Sequence, residues 1–97
     1  MESISLYDLI DMDMSEFESY CSAMTLGYLK SLTNLMTAIY YQCANCKDEI
    51  LNRIEKGKLS NNEKTQNTLK GLYSKMMLIE GKIGMLKTKT KDKMGVN

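Results

Sequence analysis

The sequence of 97 residues contains no histidine, no proline and no tryptophan. Without histidine the chain lacks the commonest general acid–base group and the commonest metal ligand, so histidine-bearing triads and metal sites are excluded. Without proline no position forbids helix, and long uninterrupted helices are expected. No run reaches the roughly 18–20 apolar residues of a membrane helix. The longest uncharged stretch, Ser31 to Cys46, is interrupted by Ser, Thr, Asn and Gln, so no membrane association is expected. Apolar–polar alternation never persists, which argues against strands. The first eighteen residues hold Glu2, Asp8, Asp11, Asp13, Glu16 and Glu18 and no base, the reverse of the positive start of a secretory leader. Three cysteines, an odd count, then point to free thiols in a reducing cytoplasm.

Hydrophobic residues make up 43% of the chain and charged residues 26%, ordinary usage for a folded domain rather than a disordered one. The net charge of +1 conceals an asymmetry. Residues 1–46 carry six acids against Lys30 alone, and residues 47–97 carry twelve basic residues against six acids.

The periodicity is helical throughout. A short N-terminal segment, residues 1–12, carries Leu6, Leu9 and Ile10 behind Ser5 as a cap. Asp13, with Glu16 three residues on, then opens a long helix over 13–56. Its apolar residues recur at Phe17, Cys21, Met24, Tyr28, Leu32, Leu35, Ile39, Cys43, Cys46, Ile50 and Ile54, at steps of three and four. Such a helix is about 60 Å long, and Gly27 is its expected weak point. Lys56-Gly57-Lys58 supplies the stop. Ser60-Asn61-Asn62-Glu63 reads as a capping box for a second helix over 60–92, with Leu69, Leu72, Met76, Ile79, Ile83 and Leu86 in heptad alternation and a frayed tail over 93–97. With only Gly57, Lys58 and Leu59 between them, the helices are expected to return antiparallel, bringing the acidic start to the lysine-rich end. The expected fold is all-α: one helical domain over 1–97, an antiparallel, coiled-coil-like two-helix hairpin with a short N-terminal helix, completed by dimerisation or by a partner helix.

Ser19 to Cys46 spans twenty-eight residues with one charge, Lys30. Its apolar arc widens to about 160°, where a single partner helix needs about 100°. The opening segment folded back, a second copy, or another protein's helix would cover the surplus. The face expected to make that contact comprises Tyr28, Leu29, Leu32, Met36, Ile39, Tyr40 and Cys43. Nine methionines add a soft, adaptable surface.

Catalysis is not expected, and no cofactor is implied. Cys43-Ala44-Asn45-Cys46 lies inside a helix, away from the N-terminal field that activates a thiol. Its two thiols fall short of a four-ligand zinc site unless two copies face one another. Asp8, Asp11 and Asp13 lack the glycine and terminal glutamate of a calcium loop. Gly81-Lys82-Ile83-Gly84 lacks the spacing of a phosphate loop. These features leave a non-catalytic protein–protein interaction module of adaptor, chaperone or inhibitor type. The competing expectation is a nucleic-acid-associated protein using Lys87, Lys89, Lys91 and Lys93, weakened by a single arginine, Arg53, and by the neutralising acidic start.

Overall fold

The computed structural model describes residues 4–95, and among them the fold is all-α, with four helices and no strand. Helix α1 spans Leu6–Asp11, α2 Met14–Ala23, α3 Leu26–Glu55 and α4 Glu63–Met94. The start signals read from the sequence operate at α1 and α2. The Asp8 N–H donates to Ser5 Oγ at 3.1 Å and the Ser5 N–H to Asp8 Oδ2 at 3.3 Å, a complete capping box. Asp13 Oδ1 accepts from the Glu16 N–H at 2.8 Å and from the Ser15 hydroxyl at 2.9 Å. These bonds satisfy donors that the first turn of a helix leaves without partners.

The continuous helix expected over 13–56 is instead two helices. Met24 is extended, with φ −80° and ψ 148°, and Thr25 starts α3 afresh, its Oγ1 accepting from the Tyr28 N–H at 3.2 Å. The break therefore falls on a threonine cap and not on Gly27. Across the break the buried position shifts from the expected Tyr28, which is exposed, to Leu29, which joins Cys21 in the core. The second start also differs. The cap of α4 is Asn62, whose Oδ1 accepts from the Thr65 N–H at 3.0 Å, while the Ser60 carbonyl takes the Thr65 hydroxyl at 2.8 Å. The link is thus 56–62, longer than the three residues expected. Gly57 turns it at φ +71°, a left-handed conformation that a Cβ disfavours, and the Lys58 and Leu59 N–H groups return to the Arg53 carbonyl. At the far end α4 continues through Met94 and stops on Gly95 at φ +69°. The frayed tail expected from 93 is therefore helical at its first two residues, and 96–97 lie outside the described residues.

Helix α4 runs back along α3, with Lys47 over the Tyr73 ring near the link and Lys30 beside Lys87 and Lys91 at the other end. The α3–α4 contact is the most extensive in the molecule, and α2 and α1 pack against α4. All six heptad positions of α4 from Leu69 to Leu86 are at least half-buried. The core gathers Leu9 and Ile10 of α1, Phe17 and Cys21 of α2, Leu29, Leu32 and Met36 of α3, and Ile79 and Leu86 of α4. Each large side chain removed fully from water there contributes roughly 1.5–3 kcal/mol.

Lys82 is buried in the same layer. Its ammonium donates to the Met12 carbonyl at 2.6 Å and lies 5.5 Å from the Phe17 ring centroid. It pins the α1–α2 joint to α4. Desolvation lowers its pKa, against the pull of Asp11 and Asp13. Lys75 adds an outer tie, 2.7 Å from Asp11 Oδ1.

Candidate interaction surface

Of the seven residues expected to form the contact face, Leu29, Leu32 and Met36 are buried inside the chain's own core. Part of the reason is the first of the three covers considered, the opening segment folded back with Leu9 and Ile10; the rest is α2, expected as part of the long helix, whose Phe17 and Cys21 join the same cluster. Those three residues are therefore core and not free surface. Ile39, Tyr40 and Cys43 are half-buried against that core, and Tyr28 is exposed. Leu35, read as part of the apolar stripe, keeps 54% of its surface in water. Helical spacing identified an apolar sector of α3 without fixing which of its edges is covered.

From the middle of α3 and α4 toward the 56–62 link, several apolar residues stay accessible, although Leu69 is buried. Tyr41, Leu51, Tyr73 and Met77 are all exposed, Met77 the most at 72%. The aromatic part is organised. The Tyr40 and Tyr41 rings meet edge to face, with centroids 5.7 Å apart and planes at 87°. Lys47 Nζ lies 5.7 Å from the Tyr73 centroid and 3.1 Å from Asp48 Oδ1. The Asp48 hydrogen bond raises the Lys47 pKa above its ordinary value. Lysine over an aromatic face is favourable, and tyrosine offers large contact area at low entropic cost. No signal in the spacing separated Tyr41 or Tyr73 from solvated helix positions; they emerge only when α4 is laid against α3.

The chain is also larger in surface than its mass requires. It exposes 6711 Å², whereas a compact monomer of 11.1 kDa exposes about 5,700 Å². Its radius of gyration is 16.4 Å, against about 12.5 Å for a compact chain of this length. The surplus of about 1,000 Å² is comparable with one partner's share, about 800 Å², of a standard protein–protein interface.

The residues with chemical potential are used structurally. Asp8 and Asp13 cap helices, and Asp11 pairs with Lys75. The Glu16 N–H, with Ser15, holds the Asp13 carboxyl below its ordinary pKa. All three cysteines are free thiols; Cys21 is buried, which raises its pKa, Cys43 is half-buried and Cys46 is exposed. Among the described residues no three of Cys, Asp and Glu converge as metal ligands, and no helix is long and apolar enough to cross a membrane. No protein-family model, curated protein or solved structure matches the chain.

Proposed function

We propose that this chain is a non-catalytic, cytoplasmic protein-interaction module whose working form is a homodimer of antiparallel helical hairpins. The contact would be made by the Tyr40, Tyr41, Leu51, Tyr73 and Met77 face. The observation that carries the reading is the tyrosine–methionine surface running from the middle of α3 and α4 toward the link, exposed at Tyr41, Leu51, Tyr73 and Met77 and half-buried at Tyr40. Two-helix units characteristically bury such a face by pairing into a four-helix bundle. Charge selects the orientation. Overlapping the link halves sends the lysine-rich ends in opposite directions, whereas stacking the copies in parallel sets Lys87, Lys89, Lys91 and Lys93 against their own equivalents. The charges within the overlap are of both signs, Lys47 and Lys70 against Asp48 and Glu55, as self-complementary pairing requires.

Light scattering on a sizing column tests this. The wild-type chain is expected at twice its monomer mass at micromolar concentration. Tyr41→Glu combined with Tyr73→Glu is expected at monomer mass with unchanged helicity. A wild-type monomer at all concentrations, or a double variant that remains dimeric, would remove the face from the account.

A further inference from the structure

At the open end, on the α3–α4 surface, Lys30, Lys87 and Lys91 line one cleft of about 390 Å³ together with Thr33, Asn34 and Thr90. Lys87 and Lys91 stand one turn apart on α4, and Lys30 faces them from α3. No carboxylate lines the cleft. Among the described residues the ion pairs are Lys47–Asp48, Arg53–Glu49 and Lys75–Asp11, so none of the three cations has an acidic partner.

One of these lysines, Lys91 in the last turn of α4, has a structural explanation, because a cation there complements the helix dipole. Lys30 has none. It lies near the N-terminal end of α3, where a cation gains nothing from that helix, and it is the one charge between Ser19 and Cys46. A glutamate at this position would pair with Lys87 and Lys91, whereas lysine repels both. The chain thus holds three like charges around a hollow, an arrangement that a bound anion relieves.

We infer that this cleft is a binding site for a compact phosphate-bearing polyanion. The Thr33 and Thr90 hydroxyls already donate to the Leu29 and Leu86 carbonyls, each at 2.7 Å. The remaining donors are three ammonium groups and the Asn34 carboxamide. Lysine ammonium groups bind phosphate as point charges, and three of them match the charge of a di- or triphosphate better than that of a single carboxylate. No aromatic residue lines the cleft, so there is nothing to stack a nucleobase and the phosphates are what it reads. The site is independent of the tyrosine face and stands whether or not the chain dimerises.

Titration of the full-length protein with inorganic tripolyphosphate, followed by calorimetry and by amide NMR shifts, tests the site. One tripolyphosphate per chain is expected, with shifts confined to residues around 30–34 and 87–91. Lys30→Glu should weaken binding at least tenfold while raising the melting temperature, a pair of opposite effects that misfolding cannot produce. Lys64→Gln with Lys70→Gln, near the link, should leave binding within twofold. A ten-residue oligothymidylate in a second titration identifies the source: tighter, Lys30-dependent binding than tripolyphosphate marks a nucleic-acid backbone, and weaker binding marks a free polyphosphate. Shifts spread over lysines on every face, or unaltered binding by Lys30→Glu, would overturn the proposal.

Discussion

At the open end of the molecule Phe17, Leu29, Met36 and Leu86 lose all contact with water, whereas toward the 56–62 link Leu51, Leu59 and Tyr73 each keep more than a third of their surface exposed. The same two helices, α3 and α4, run through both regions. What differs is a third layer. Helices α1 and α2, sixteen residues in all, supply Ile10, Phe17 and Cys21 to the open end and reach along α4 to Lys75. A pair of helices alone has too little apolar width to close a core. The uncovered half is therefore where a second chain has something to gain.

The largest effects should separate the two regions. Phe17→Ala is expected to cost about 3–5 kcal/mol, measured by thermal or urea unfolding of dilute protein. Leu51→Ala, a truncation at the exposed half, should cost under about 1 kcal/mol under the same conditions. Comparable losses at the two sites would erase the distinction drawn here.

A second comparison concerns how the third layer is held. Lys82→Ala removes a charge-assisted hydrogen bond to the Met12 carbonyl and the packing beneath Phe17, and should cost about 2–3 kcal/mol. Lys82→Met refills the space and eliminates the buried charge, so it should cost clearly less. Both variants should loosen α1 and leave the link half as protected as before, which amide exchange would show.

The smallest expected effect is in acid and is again confined to the open end. Asp13 is held below its ordinary carboxylate pKa by the hydrogen bonds it accepts as the α2 cap. Its contribution is present above the unfolded value of 3.8 and is lost as pH falls through the lowered folded value. Asp13→Asn keeps a capping oxygen without a titrating group. Its helicity, followed by circular dichroism, should fall less steeply below pH 4 than that of the wild type.

Much of this division was legible in the residues, and the remainder was hidden for physical reasons. Ser5, Asp13 and Gly57 announced their roles through local chemistry: hydroxyl or carboxylate oxygens placed to accept first-turn N–H groups, and a glycine at a positive φ. Thr25 and Asn62 carry the same chemistry but sit beside competing signals, Gly27 for one and Ser60 for the other. The surplus apolar width of α3 was correctly visible as something needing cover. Periodicity cannot say which segment covers it: from spacing alone Leu29, Leu32 and Met36 read as contact surface, whereas Phe17 and Ile10 share their core in the folded chain. Lys82 was invisible because a lysine in a helix is ordinarily solvated. Only the meeting of α4 with the Met12 carbonyl turns it into an anchor. The cleft at Lys30 likewise depends on residues fifty-seven and sixty-one positions apart being brought level by the return of α4.

Hydrogen exchange measured across a range of protein concentrations tests the central claim most directly. With a dimer formed through the tyrosine–methionine face, protection of residues 40–55 and 63–77 should rise with concentration, while protection around Leu29, Phe17 and Leu86 should stay comparatively constant. Protection that is independent of concentration along the whole of α3 and α4 would contradict it, showing that the two helices near the link are stable without a second copy.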